Sequence, residues 1–257
     1  MKNERNKEED IFQNIQQAFE NLPDNFSILE EQIEIELQMK YFDFARKVRK
    51  KDNVEECFEQ REELFLPDMG EERKREILSA LATIDDAKAF RTIEKFVESS
   101  EGEIRQWAVL ALQESRMLLQ TSLLEEQQVL ISTGLGGKGK SLRYFVVFIH
   151  RVHNEMPDDT QQKILHDEMV FSLKQNNGDL ESMDFKEGFT SALVLLPLQI
   201  EIQQFFNDII DECNQYGNFL EEDVLVTNVK ILSGSEILQA IHQFKNNLTE
   251  KNDGKQN

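Results

Sequence analysis

Apolar residues recur at helical spacing through the first half of the chain. Ile11, Ile15, Ala18, Phe19 and Leu22 share one helical face, and Pro23 stops it. In QIEIELQMKYFDFARKV two periods compete. Ile33, Ile35, Leu37, Met39 and Tyr41 alternate as in a strand, whereas Leu37, Tyr41, Phe44, Ala45 and Val48 form a helical stripe. Arg46, Lys47, Arg49, Lys50 and Lys51 gather at its end, where a helix dipole favours positive charge, so this stretch is read as a helix. Further helices are predicted near 53–65, 70–84, 86–99 and 102–120. Asp85 and Asp86 can cap the helix carrying Ala89, Phe90, Ile93, Phe96 and Val97. Ser100 and Glu103 have capping-box spacing. The helix after them presents Ile104, Trp107, Ala108, Ala111, Leu112 and Met117 in register.

The pattern changes after Gln127. QQVLIST and LRYFVVFIHR are rich in Val, Ile, Phe and Tyr and read as strands. A helix follows over Thr160–Lys174, preceded by Asp158 and Asp159. LESMDFK and FTSALVLLP flank Glu187-Gly188 as the arms of a hairpin. Ile202, Phe205, Phe206, Ile209, Ile210 and Cys213 mark another helix, stopped at Gly217. LVTNVKIL alternates as a strand, and Ser233 to Glu236 opens a last helix with Ile237, Leu238, Ile241 and Phe244 inward. The order β-β-α-β-β-α-β-α contains the βαββαβ order of ferredoxin-like folds, with a mainly antiparallel sheet. The expected class is therefore α+β. A helical domain covers 8–125, an α+β domain covers 127–247, and the polar stretch 249–257 reads as a disordered tail.

The run EIRQWAVLAL, Glu103 to Leu112, resembles the second helix of a HEAT repeat. That family places residues in the spacing V-R-x-x-A-x-x-A-L, and Ile104, Arg105, Ala108, Ala111 and Leu112 fill those positions. Helix 86–99 is then the first helix of the same repeat. The small alanines let paired helices approach closely, and each pair buries its face against the next. The resemblance covers about 86–120, and RKREILSALATID is similar to the second helix of an earlier unit. It implies a stacked helical array that binds a protein partner. The polar positions of helix 103–120, Gln106, Gln113, Glu114 and Arg116, are the candidate contact surface.

Charge narrows the partners. The net charge is −20, and residues 1–126 hold 18 basic and 30 acidic side chains while the remainder holds 11 and 19. Neither half carries the basic footprint of a DNA-binding domain, so no DNA partner is expected. Cys57 and Cys213 stand far apart, which argues for neither a disulfide framework nor a metal site. No apolar run is long enough to span a bilayer, and the N-terminus has no secretory h-region. The chain is read as cytoplasmic, with no membrane partner.

One stretch competes with this reading. GLGGKGKS, Gly134–Ser141, matches the phosphate-binding pattern G-x-x-x-x-G-K-[ST]. A working P-loop needs a helix whose amides hold the phosphates, here beginning near Lys140 and Ser141. Leu142 to Ile149 instead reads as a strand, so the glycines are assigned to a hairpin. No acidic residue occurs between Glu126 and Glu155, which leaves Lys138, Lys140 and Arg143 as a candidate anion or partner contact. His150-x-x-His153 would point to opposite faces of a strand. No catalytic, cofactor or metal-binding residues are assigned. The resulting expectation is a non-enzymatic interaction scaffold or adaptor. A P-loop-like nucleotide-binding enzyme using Gly134–Ser141 is the first alternative. An RNA- or ribosome-associated factor using the basic hairpin is the second.

Overall fold

The computed structural model describes residues 25–51, 53–126, 128–152 and 155–253, with side chains as far as 243. The helix expected over Ile11–Leu22 lies outside them, as does His153. The protein is of the α+β class. It divides into two compact units after Gly134.

The first unit runs β1 (Phe26–Ile28), α1 (Ile35–Val48), α2 (Val54–Glu59), a 3-10 helix (Arg61–Phe65), α3 (Glu71–Leu81), α4 (Ala87–Ser99), α5 (Gly102–Leu124) and β2 (Val129–Ile131). The ambiguous QIEIELQ stretch resolves as helix α1, and Leu37, Tyr41, Ala45 and Val48 are buried at the helical period. In α4 the same spacing buries Ala89, Ile93 and Phe96, and Asp86 caps the helix by accepting from Lys88 N. The capping box expected at Ser100 and Glu103 does not form. Glu101 is the N-cap, Gly102 takes φ +66°, and Glu103 instead accepts from Arg75 Nη2 at 2.6 Å.

Helix α5 is the centre of this unit, packed by α1, α3 and α4. Trp107, Ala108, Val109, Leu110 and Ala111 are buried in succession, so these five residues present no solvent face. Strand β1 was not visible in the pattern, and β2, read as a strand, has an unexpected partner. β1 and β2 pair in parallel, Phe26 with Val129 and Ile28 with Ile131. The VLI segment expected to pair with the following strand therefore belongs to the first unit.

A polar cluster joins α3 to the segment after α1. Glu76 accepts hydrogen bonds from Lys51 Nζ at 2.8 Å, Arg73 Nη1 at 2.7 Å and Asn53 Nδ2 at 3.0 Å. The Lys51 ammonium first, then Arg73 and Asn53, hold its carboxyl at about 2, against the opposing effect of partial burial. A depressed folded-state pKa gives stability that is full above the ordinary value of 4.5 and is lost as pH falls toward 2. Glu76→Gln is expected to cost about 1–2 kcal/mol near neutral pH. In urea titrations across pH the gap between the two proteins should close below about pH 4. A gap that stays constant down to the acid limit would remove the ionic account.

The second unit runs β3 (Gly137–Lys138), β4 (Ser141–His150), α6 (Asp159–Gln175), β5 (Asp179–Lys186), β6 (Phe189–Pro197), α7 (Ile202–Asn214), β7 (Leu220–Thr227) and α8 (Gly234–Asp253). The antiparallel sheet has β6 between β5 and β4, with β7 on the other side of β4 and the short β3 pairing the start of β4. From β4 to β7 this is the βαββαβ arrangement read from the sequence. Glu187-Gly188 makes the expected hairpin, with Lys186 opposite Phe189 and Gly188 at φ +84°.

Strand β4 is buried on both sides, which is why YFVVFI shows no alternation. Val146 and Phe148 pack under α6 and α7 with Leu165, Met169, Phe206 and Ile209. Phe145, Val147 and Ile149 pack with Ile237 and Ile241 of α8. The last strand sits earlier than LVTNVKIL predicts. It begins at Leu220, takes Glu221 to Asp223 into the strand, and leaves Val229 and Ile231 half exposed beyond it. Helix α8 continues to Asp253, so the stretch expected as a disordered tail starts inside a helix; its Glu and Lys residues are compatible with one.

Candidate functional site

The glycine-rich stretch folds as a hairpin tip. Gly137 pairs with Leu142 and Lys138 with Ser141, and Gly139 turns the chain at φ +60°. Ser141 opens a strand, not a helix. No helix terminus is therefore placed there to hold a phosphate. Lys138 and Lys140 are exposed on the turn. Arg143 is withdrawn from that surface. Its Nε and Nη2 donate to Glu181 at 2.5 and 2.8 Å, and its Nη1 donates to Leu135 O at 2.7 Å. Of the three expected contact residues the turn thus presents the two lysines.

The polar positions chosen on α5 do not make a surface either. Gln113 is buried, and Gln106 is only partly exposed. Glu114 accepts from Tyr41 Oη at 2.6 Å and is also hydrogen-bonded by Arg49. Burial first, and then Glu114, pushes the Tyr41 hydroxyl well above its usual value, so it stays a donor. Arg116 alone of the four is exposed, 6.0 Å above the Phe90 ring. The expectation assumed one buried face; α5 is covered on several sides.

His150 is buried, with Nε2 at 2.8 Å from Thr190 Oγ1, and His166 is exposed beside Asp167. Burial pushes the thiols of Cys57 and Cys213 up, the latter to about 12, so neither has the lowered pKa of a nucleophile. Among the described residues no group of three or more His, Cys, Asp or Glu is placed to hold a metal ion.

A different feature of the first unit gathers positive charge. A cavity of about 370 Å³ lies between the 3-10 helix and α4, lined by Arg61, Glu62, Phe65, Ala87, Lys88, Arg91, Thr92 and Lys95. Four cations and one carboxylate therefore face one space. Lys88, Arg91 and Lys95 stand on one side of α4 at i, i+3 and i+7, while the opposite side enters the core. The 3-10 helix brings Arg61 and Phe65 to meet them.

Ring contacts fix the rim. Lys95 Nζ lies 4.7 Å from the centre of the Phe65 ring, and Arg61 lies 4.7 Å from that of Phe58. Arg61 Nη1 also donates to Phe58 O at 2.8 Å, and Arg91 pairs with Glu94 at 2.5 Å. The Asp86 carboxylate already caps α4 through Lys88 N, so the attraction for an anion comes from side chains. At physiological salt the screening length is about 8 Å, so a ligand in the cavity senses these cations more than the distant negative charge. The signal in the sequence was the helical spacing of Lys88, Arg91 and Lys95; the contribution of Arg61 needs the fold.

No family model and no curated protein matches the chain. Among solved structures, a transposase candidate from Deinococcus radiodurans R1 is 15% identical, with 40% of this chain and 90% of that chain covered and a TM-score of 0.35. A C-terminal segment of the alpha subunit of aIF2 from Pyrococcus abyssi is 11% identical, with 76% and 98% covered and a TM-score of 0.22. Likenesses this weak carry nothing about function. No helix of the described residues is long and apolar enough to cross a membrane.

Proposed function

We propose that this protein is a non-enzymatic adaptor, and that its helical unit takes an acidic segment of a partner protein into the cavity between the 3-10 helix and α4. One observation carries the reading: four cations line one cavity with the Phe65 ring in a chain whose net charge is −20. Carboxylates of a bound segment pair with the rim, and an apolar residue of that segment rests on the ring. The α4–α5 hairpin is read as a HEAT-type repeat, a scaffold whose outer surface serves protein recognition.

The test is fluorescence anisotropy with a fluorescein-labelled peptide of repeated Glu-Asp-Phe units. Lys88→Glu combined with Arg91→Glu is expected to weaken binding about tenfold, or about 1.4 kcal/mol. Binding should also weaken with added salt. Equal binding by both proteins would remove the cavity from the account. Magnesium-dependent binding of labelled ATP that is lost in Lys140→Ala would favour the nucleotide-binding alternative.

A further inference from the structure

The second unit carries a groove of opposite character. It is a cavity of about 480 Å³ between α6 and α7, and its lining includes Ile164, Asp167, Glu168, Phe171, Glu212 and Tyr216. Both helices turn their other faces to the sheet, with Leu165, Met169, Phe206 and Ile209 in the core. Phe171 and Tyr216 take no part in that core and are 58% and 69% exposed. Three carboxylates line the groove beside them, against the single ammonium of Lys163.

Those carboxylates are positioned but not neutralised. Glu168 accepts from Ser172 Oγ at 2.9 Å, Glu212 accepts from Gln215 Nε2 at 3.0 Å, and Asp167 lies 3.3 Å from His166 Nδ1. Among the described residues no lysine or arginine pairs with any of the three. Exposed aromatic faces next to unneutralised carboxylates form a surface for cations, since both the ring quadrupole and the charge attract them. The aliphatic stems of Lys and Arg can also cover the rings that water now touches.

We propose that the groove between α6 and α7 is a second docking site, which takes an extended segment of a partner protein rich in Arg and Lys. It is independent of the cavity in the helical unit and selects the opposite charge. The two sites together suit an adaptor that joins an acidic to a basic segment.

The probe is a fluorescein-labelled peptide of repeated Arg-Leu-Lys units, titrated with the full chain. Phe171→Ser with Tyr216→Ser leaves the net charge unchanged and is expected to weaken binding at least about tenfold. Asp167→Asn with Glu212→Gln should weaken it more than Glu98→Gln with Glu101→Gln, an equal charge loss at exposed positions of the other unit. All these side chains are at least partly exposed, and unchanged circular dichroism spectra will confirm folding. Equal effects of the two charge pairs, with no effect of the aromatic pair, would reduce the binding to general attraction and overturn the proposal. Self-association in sedimentation that is lost with Phe171→Ser would assign the groove to a second copy, and would overturn it as well.

Discussion

Trp107→Ala should lower the stability of the helical unit by about 3–5 kcal/mol, read as a fall in the urea midpoint by far-UV circular dichroism. Trp107 is buried in the second turn of α5. Tyr41 and Phe44 of α1 meet its ring edge to face, at centroid distances of 5.2 and 5.4 Å. Its Nε1 donates to Ser79 Oγ of α3 at 3.2 Å, and Arg75 of the same helix lies 5.0 Å from the ring centre. One side chain therefore ties three helices. Its removal opens a cavity, strips Ser79 of its donor and leaves Arg75 without its ring. Trp107→Phe should recover part of the loss, since it restores ring packing but not the hydrogen bond. A loss below about 1 kcal/mol for the alanine variant would place the core elsewhere.

The second large effect is expected at Gly178, where an added methyl group has no room. Helix α6 ends in a Schellman arrangement, with Gly178 N donating to Leu173 O at 2.8 Å and Asn177, not a glycine, at φ +55°. The glycine serves the next position for a different reason. A Cβ there would lie 2.7 Å from Leu195 O, 2.9 Å from Leu173 Cδ2 and 3.0 Å from Leu196 Cδ2. The nearest of these is backbone of the central strand β6 and cannot swing aside. Gly178→Ala should cost about 2–3 kcal/mol through overpacking. Asn177→Gly relieves a left-handed residue and should change stability by less than about 1 kcal/mol. The reverse ranking of the two variants would contradict this assignment.

Local patterns were legible where burial follows one period. The spacing of Ala89, Ile93 and Phe96 placed α4, and the β-rich run after Ser141 showed that the P-loop match continues as a strand. Contacts between distant segments were not legible. β1 and β2 pair across about a hundred intervening residues; three-residue β1 has no period long enough to read, and β2, though read as a strand, carries no sign of that partner. Gln113 and Glu114 were placed on a surface because a single helix with polar positions looks two-sided. Only the neighbours that cover α5 reveal that Gln113 is buried and that Glu114 is engaged by Tyr41 and Arg49. Arg143 looked like part of a basic hairpin because Glu181 stands far away in sequence. The basic cavity was half legible, since α4 carries three of its cations at helical spacing while Arg61 comes from a separate turn.

The most direct measurement of the adaptor account is a reciprocal charge swap at the α4 cavity, followed by isothermal titration calorimetry. The native chain and the Lys88→Glu, Arg91→Glu double variant are each titrated with the Glu-Asp-Phe peptide and with a Lys-Arg-Phe counterpart. The account predicts that the substitutions weaken the acidic peptide about tenfold and strengthen the basic one. The same loss or gain from reversing Lys138 and Lys140 on the hairpin turn, with no change from the α4 pair, would contradict it.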